Sequence, residues 1–302
     1  MSFVVATDEG LYLVTEEGSQ TRLVEGGFRH VVAADDGAAV ALGADGTLWN
    51  VAEDDGAAEF EQLLPTRGAI TCVLVNGDDV WAGTASGHLW LVRSGDLSPV
   101  ASFEEIEGRD KWHTPWGAPA AVRSLDVDED DALFASIHVG GIARSFDAGD
   151  TWLPSGEIEW DVHQVVTVPD YASTVLAACA VGMALSTDAG ETWEVESRGL
   201  PHSYCRAIAV SGDHVILSVS NGPEGGEAAL YRRALEDSVF DRVRLGLPDY
   251  FAGNVDTYCL TAWDEQVVCA APGGSLYVSN DGGVRWHELV TGLPEPRAVA
   301  IL

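Results

Sequence analysis

The chain has 302 residues, 46% of them apolar, with 48 acidic residues against 16 basic ones and a formal net charge of −32. This charge repels nucleic-acid phosphates and anionic lipid surfaces, so it excludes nucleic acids and membranes as partners. The apolar fraction is large enough to build a substantial core.

Acidic residues are in excess, and Lys111 is the single lysine. Arg in place of Lys on an acidic surface is typical of proteins that work in molar salt, where carboxylate repulsion is screened. The start of the chain has no basic region and no long apolar stretch, so it predicts neither a secretory signal nor a membrane span. We therefore expect a halophilic, archaeal, cytoplasmic protein.

Strand-like runs recur along the chain, each followed by a Gly-containing turn and a second run. Seven of them begin at Val31, Cys72, Ser124, Gln164, Ala207, Cys259 and Ala298. Seven units average about 43 residues each, the length of a four-stranded propeller blade. Residues 3–24 supply three strands and lack an inner one, which residues 297–302 can provide.

The predicted fold class is therefore all-β: a seven-bladed β-propeller with four-stranded blades, closed by the C-terminal strand joining the N-terminal blade. We predict a single domain, 1–302. Its approximate blades are 1–24 plus 297–302, 28–63, 69–100, 122–153, 162–195, 205–243 and 257–289.

Two smaller features fit this fold. The five cysteines sit mostly in apolar strands, which predicts buried, reduced thiols. The acidic runs 54–55 and 128–131 fall in predicted turns, and without regular ligand spacing they indicate a solvated surface rather than calcium loops.

One motif, S-x-D-x-G-x-T-W, occurs at residues 145–152 and 186–193, and again at 279–286 with Arg285 in place of Thr. Its Asp can accept backbone N–H groups inside the turn, and its Gly can adopt a positive φ. We therefore interpret Asp147, Asp188 and Asp281 as structural residues that close turns between the outer strands of a blade.

The motif resembles the Asp box of bacterial-neuraminidase-repeat (BNR) propellers, which occurs in sialidases, sortilins and xyloglucanases. Further segments, including residues 112–117 and 138–141, resemble cytosolic repeat proteins of haloarchaea and bacteria that are labelled glycosyl hydrolase-like. The resemblance implies a propeller and leaves the function open. Residues 28–31 depart from the Phe-Arg-Ile-Pro segment of sialidases, so an ordinary sialidase is not expected.

Aligning the inner strands places polar residues at one repeated position just before each strand core. They are Arg29, Thr71, Arg123, His163, Arg206, Tyr258 and Arg297. Guanidinium groups bind carboxylate and phosphate bidentately, so the arginines predict an anion site at the channel mouth. The alternative is that each arginine pairs with an acid such as Asp126, Asp161 or Asp256.

Other side chains are predicted at the same channel mouth, which we call the rim. His113, His138 and His202 join His163 there, and these four could bind a divalent transition metal such as zinc, copper or iron. The candidate catalytic residues are His138, His163 and Tyr258. The candidate ligand-binding residues are Arg29, Arg123, Arg206, Arg297, His113, His202, Trp116 and Tyr204.

Two classes of function remain open at this stage. In the first, the rim binds or acts on a small anionic molecule, a sugar acid or a phosphorylated metabolite, in a hydrolase-like manner. In the second, the protein is a non-catalytic scaffold for another protein, and the rim charges are structural. A small anionic molecule is the favoured partner.

Overall fold

The structure is a computed structural model that describes residues 1–34, 37–52, 56–62 and 68–302, with residues 56 and 59–62 described by their backbone alone. The acidic pair 54–55 and the predicted blade end at residue 63 lie outside the described residues. Contacts divide the chain into two compact units, Met1–Gln62 with Ser197–Leu302, and Leu63–Glu196.

The unit of Met1–Gln62 and Ser197–Leu302 holds four antiparallel sheets of four strands. The first has the order β28-β1-β2-β3 and the others follow chain order. In chain order the strands before residue 63 are β1 (Ser2–Thr7), β2 (Gly10–Thr15), β3 (Gln20–Glu25), β4 (Phe28–Ala34), β5 (Ala38–Gly43), β6 (Thr47–Ala52) and β7 (Gly56–Gln62). Those after residue 196 are β20 (Tyr204–Ser211), β21 (His214–Ser220), β22 (Ala229–Ala234), β23 (Asp241–Arg242), β24 (Leu260–Trp263), β25 (Gln266–Ala271), β26 (Ser275–Ser279), β27 (His287–Val290) and β28 (Pro296–Ile301).

The unit of Leu63–Glu196 holds three further antiparallel sheets of four strands. Its strands are β8 (Ile70–Asn76), β9 (Asp79–Thr84), β10 (Leu89–Arg93), β11 (Asp96–Pro99), β12 (Val122–Val127), β13 (Leu133–Ile137), β14 (Gly141–Ser145), β15 (Leu153–Ser155), β16 (Val162–Thr167), β17 (Val175–Cys179), β18 (Gly182–Ser186) and β19 (Glu194–Glu196). Short 3₁₀ turns span Ala101–Glu105, Arg109–Lys111 and Ile158–Trp160. The predicted fold class, a seven-bladed all-β propeller with four-stranded blades, is confirmed.

The C-terminal strand completes the N-terminal sheet, as predicted. β28 pairs antiparallel with β1, with Phe3 opposite Ile301 and Val5 opposite Val299. Alternate residues of β28 enter two different apolar clusters, since Val299 and Ile301 join one and Ala298 and Ala300 join the other. The strand is therefore buried on both faces, as expected for the innermost strand of a propeller blade.

The three Asp-containing turns join the third and fourth strands of their sheets. In the first, Asp147 Oδ1 accepts the backbone N–H of Thr151 at 2.8 Å and Asp147 Oδ2 accepts the Thr151 hydroxyl at 2.6 Å. Gly149 has a φ of 85°, a conformation that side-chain-bearing residues rarely adopt. The structural interpretation of these aspartates therefore agrees with their contacts.

The third turn lacks one of these bonds, because Arg285 replaces the Thr. Asp281 Oδ1 still accepts the backbone N–H of Arg285 at 2.8 Å and the hydroxyl of Ser279 at 2.8 Å.

Hydrogen bonds from Thr192 lower the pKa of Asp188, in the second turn, to about 2.

All five cysteines are buried and free, which confirms the prediction from their positions in apolar strands. Burial raises the pKa of the Cys205, Cys259 and Cys269 thiols. These thiols therefore act as small apolar core groups. No helix in the described part of the chain is long and apolar enough to cross a lipid bilayer.

Candidate functional site

The repeated position that the sequence singled out coincides with β-bulges. The pairing register of β12 with β13 shifts between Val122 and Ser124, which leaves Arg123 as the extra residue, and β16 shifts in the same way around His163. The register also shifts around Arg29, Thr71 and Arg297, and between Cys205 and Ile208, where Arg206 lies. A bulge removes a residue from the ladder and re-aims its side chain.

Tyr258, the seventh residue at this position, precedes β24 and has a φ of 66°. A positive φ is uncommon for a residue with a Cβ, so this position too departs from regular strand geometry.

The densest polar cluster lies within the unit of Leu63–Glu196. Arg123 Nη1 donates to Asp161 Oδ1 at 2.9 Å, and Arg123 Nη2 donates to His138 Nε2 at 2.7 Å. His163 Nε2 lies 3.8 Å from Asp161 Oδ2. The Arg123 guanidinium thus bridges the Asp161 carboxylate and the His138 imidazole. The His163 imidazole lies near the other carboxylate oxygen of Asp161. We call these four residues the Arg123 cluster.

Local structure fixes each member of the Arg123 cluster. His138 lies in the turn between β13 and β14, and its backbone N–H donates to Ala121 O at 2.9 Å. A Cβ on Gly140, in the same turn, would meet the Ile137 side chain and approach Trp112 Cδ1 to 2.9 Å, so a larger residue there would force these side chains to move. Asp161 ends the turn Ile158–Trp160 with a φ of 51° and a ψ of 69°. Strained backbone of this kind is often found at ligand sites.

Charge and burial limit what the Arg123 cluster can bind. The guanidinium can only donate, so His138 Nε2 accepts and the imidazole proton is assigned to Nδ1. The Arg123 and Asp161 charges offset each other. Their side chains remain 20% and 22% exposed, whereas that of His163 is only 1% exposed. The accessible groups are therefore hydrogen-bonding groups in a locally neutral site.

Trp116 stands beside this cluster. Its ring centroid is 5.1 Å from that of His138 at an interplanar angle of 69°, an edge-to-face contact. Trp116 is nevertheless 71% exposed. An exposed ring held in this way is available for stacking on a ligand.

The four histidines proposed as metal ligands do not form one donor set. His138 and His163 meet at Asp161, whereas His113 Nδ1 contacts the Lys111 carbonyl at 3.0 Å and His202 Nε2 contacts Glu227 Oε2 at 2.8 Å. Among the residues that the structure describes, no group of three His, Cys, Asp or Glu side chains could hold a metal ion. The hypothesis of a transition-metal site therefore has no ligand set to support it.

The remaining rim arginines belong to the other unit and contact acids or carbonyls of that unit. Arg206 Nη2 lies 2.5 Å from Asp256 Oδ1, and Arg206 Nη1 donates to Tyr204 Oη at 3.3 Å. Burial works against the charge of Arg206, but Asp256 and Tyr204 together raise its pKa. Arg297 Nη2 is 3.9 Å from Asp8, and Arg29 Nε donates to the Ala44 carbonyl.

Two of the acids that the sequence offered as alternative partners of the rim arginines do pair with them: Asp161 with Arg123 and Asp256 with Arg206. Asp126 instead accepts the backbone N–H of Thr167 at 2.6 Å and its hydroxyl at 3.1 Å. Desolvation, the largest effect, raises the pKa of Asp126 to about 6.

Tyr258, one of the candidate catalytic residues, packs against His30 with ring centroids 3.8 Å apart. Burial lowers the pKa of His30 to about 3, so this imidazole stays neutral. His30 is therefore a core residue.

Sequence reasoning missed a second polar network in the Leu63–Glu196 unit. His88 Nδ1 lies 2.5 Å from Glu104 Oε1, and Arg109 Nη2 lies 2.9 Å from Glu104 Oε2. The Arg109 guanidinium also lies over the Trp112 ring at 4.7 Å. These residues come from a strand turn and from the long connection before β12, and their spacing in the chain carries no motif.

No protein-family model matches the chain, and no curated protein matches its sequence. Solved structures with similar folds include an ancestral GH74 enzyme, with a TM-score of 0.63 and 14% identity over 86% of this chain. This chain spans only 38% of that enzyme. The WD40 domain of Neurospora crassa Pan2 aligns with a TM-score of 0.59 and 9% identity over 88% of this chain and 79% of its own. At these identities the similarity establishes the propeller fold and nothing finer.

Proposed function

We propose that the Arg123 cluster binds a carbohydrate, with Trp116 as the stacking platform. The observation that carries the proposal is the 71% exposed ring of Trp116, held edge-to-face against His138, the imidazole that accepts from Arg123. Sugars present an apolar face to an aromatic ring and hydroxyl groups at their edge, which can accept from guanidinium and donate to carboxylate.

A neutral sugar fits better than the anion that the sequence favoured. Asp161 already accepts from the Arg123 guanidinium at 2.9 Å, so a ligand carboxylate that approached this guanidinium would be repelled by the like charge of Asp161. A sugar acid or phosphorylated metabolite is thus expected to bind more weakly than the corresponding neutral sugar. Binding is proposed rather than hydrolysis, because glycosidases use two carboxyl groups and Asp161 is paired with a guanidinium.

The family assignment is also a proposal. We infer an Asp-box propeller of the BNR type because all three turns close on an Asp carboxylate that accepts the backbone N–H four residues on. A halophilic, archaeal and cytoplasmic origin is supported by the net charge of −32 and the single lysine.

Calorimetric titration in molar salt tests the carbohydrate site, with cellotetraose, glucose, glucuronate and glucose 6-phosphate as ligands. Trp116→Ala should weaken binding by roughly tenfold, which corresponds to about 1.4 kcal/mol of lost stacking and burial. Trp263→Ala is the matched control, since Trp263 is 66% exposed and belongs to the other unit. Failure of every sugar to bind, or equal losses in the two variants, would contradict the proposal.

A scaffold for another protein is the second candidate. The specific observation in its favour is that Arg206 pairs with Asp256 and Arg297 lies near Asp8, so these rim charges stabilise the protein itself. If no carbohydrate binds and Arg206→Ala lowers the melting temperature, the scaffold becomes the better account.

A further inference from the structure

A basic cleft lies in the unit of Met1–Gln62 and Ser197–Leu302, apart from the Arg123 cluster. It has a volume of about 430 Å³ and is formed by β22, β23, the segments beside them and the third Asp-containing turn. Four arginines line it, Arg232, Arg233, Arg242 and Arg244. These are four of the 15 arginines (16 basic residues less one lysine) in a chain of net charge −32.

Two of these arginines have structural contacts. Arg232 Nε donates to the Gly282 carbonyl at 2.6 Å, in the same way that Arg144 Nη1 donates to Ala189 in the second Asp-containing turn. Arg233 is 4% exposed and its guanidinium lies 5.0 Å from the Phe240 ring centroid. Both therefore support the walls of the cleft.

The other two are available to a ligand. Within the described residues, neither Arg242 nor Arg244 forms an ion pair. The Arg242 guanidinium lies over the Tyr250 ring, 4.4 Å from its centroid, which holds the side chain in place. Arg244 is exposed. A fixed guanidinium loses little entropy on binding an anion.

Exposed apolar side chains line the same cleft as the arginines. Val239, Leu245 and Val284 line the cleft and are 44%, 53% and 40% exposed. Tyr250, under Arg242, is 48% exposed. Exposed aliphatic side chains next to Arg and Tyr are typical of protein-binding surfaces.

Two carboxylates, Asp237 and Asp241, also line the cleft. Asp241 stands opposite Arg232 in the register of β22 and β23. Among the lining residues, four guanidinium groups stand against these two carboxylates, and the charges of Asp213 and Asp281 also act on Arg232. The excess of basic over acidic lining groups contrasts with the acidic chain as a whole.

We propose that this cleft docks a peptide segment of a partner protein in which acidic and aliphatic residues alternate. The carboxylates would bind Arg242 and Arg244 in charge-assisted hydrogen bonds, and the aliphatic side chains would cover Val239, Leu245 and Val284. A small anion would satisfy the arginines and leave those apolar groups in water. Nucleic acid is disfavoured by the charge of the rest of the protein.

Fluorescence anisotropy with a labelled hexapeptide, Glu-Leu-Glu-Leu-Glu-Leu, tests this site in the full chain. The peptide should bind saturably, and Arg242→Ala/Arg244→Ala should weaken it at least tenfold, because the peptide carboxylates lose their charge-assisted hydrogen bonds to both guanidinium groups. The charge-matched control is Arg22→Ala/Arg93→Ala, which removes two exposed arginines elsewhere. Its affinity should stay within about twofold of the unchanged protein, because only the diffuse field differs.

A second variant tests the apolar component, and a competitor tests the kind of ligand. Leu245→Ser/Val284→Ser keeps every charge and should also weaken the peptide, whereas Trp116→Ala should leave it unchanged. Melting curves of all variants confirm that they fold. Absence of saturable binding, equal losses in the control, or displacement by hexanoate as effective as by unlabelled peptide would overturn the proposal.

Discussion

Removal of the C-terminal strand β28 is expected to unfold the protein in one cooperative step. Val299 and Ile301 are 3% and 9% exposed, and burial of side chains of this size stabilises by about 1.5–3 kcal/mol each. Ala298 and Ala300 add about 0.8 kcal/mol each by the same scale. The ladder with β1, five residue pairs long, adds roughly 1 kcal/mol for each hydrogen bond. These gross contributions sum to about 10 kcal/mol, and the entropy of ordering the strand, about 1–2 kcal/mol per residue, offsets much of this. Removal of β28 also uncovers the two apolar clusters that it joins, so the rest of the sheet loses burial as well.

The assay is thermal unfolding of a chain that ends at Glu295, followed by circular dichroism. Two point variants calibrate it. Ile301→Ala should cost about 2–5 kcal/mol as a core truncation, whereas Arg297→Ala, on the same strand with a side chain 48% exposed, should cost less than about 1 kcal/mol. A truncated protein with an unchanged melting curve would refute the role of β28 in closing its sheet.

Three further outcomes are expected. Because the pKa of Asp126 is raised to about 6 from an ordinary value of 3.8, its stabilising effect is full below pH 3.8 and is lost as the pH rises through 6. Asn at position 126 does not titrate, so up to about 3 kcal/mol of this pH-dependent loss of stability should disappear in Asp126→Asn. The free energies of unfolding measured by denaturant titration at pH 4 and pH 8 should therefore differ less for the variant than for the unchanged protein. Stability should rise with potassium chloride to molar concentration, and full stability in dilute buffer would contradict the halophilic assignment. Arg123→Ala should abolish sugar binding and also lower the melting temperature, because it removes the guanidinium from both Asp161 and His138; a variant that melts earlier and binds normally would separate the cluster from the ligand.

Much of the fold was predictable because its signals are local. Apolar runs, Gly-containing turns and the three Asp motifs repeat at blade length, and each blade forms mostly from neighbouring segments of chain. The missing inner strand of residues 3–24 also predicted the pairing of β28 with β1, which is the longest-range contact in the sheet.

The site was predictable only in part. Repetition at one strand position identified Arg123 and His163, and the bulges explain why that position differs from its neighbours. Sequence could not decide which acid each arginine meets, because Asp161 is itself a left-handed residue at the end of a 3₁₀ turn, a conformation that the sequence pattern did not predict. The His88–Glu104–Arg109 network and the basic cleft escaped notice because side chains distant in sequence form them without a repeated spacing.

The most direct test of the central proposal is a crystal structure with the best-binding sugar of the titration series soaked in. A sugar ring should stack on Trp116, with hydroxyl groups within hydrogen-bond distance of Arg123 and Asp161. Density for the sugar at another place, or an unliganded Trp116 in crystals of a protein that binds the sugar in solution, would contradict the proposal.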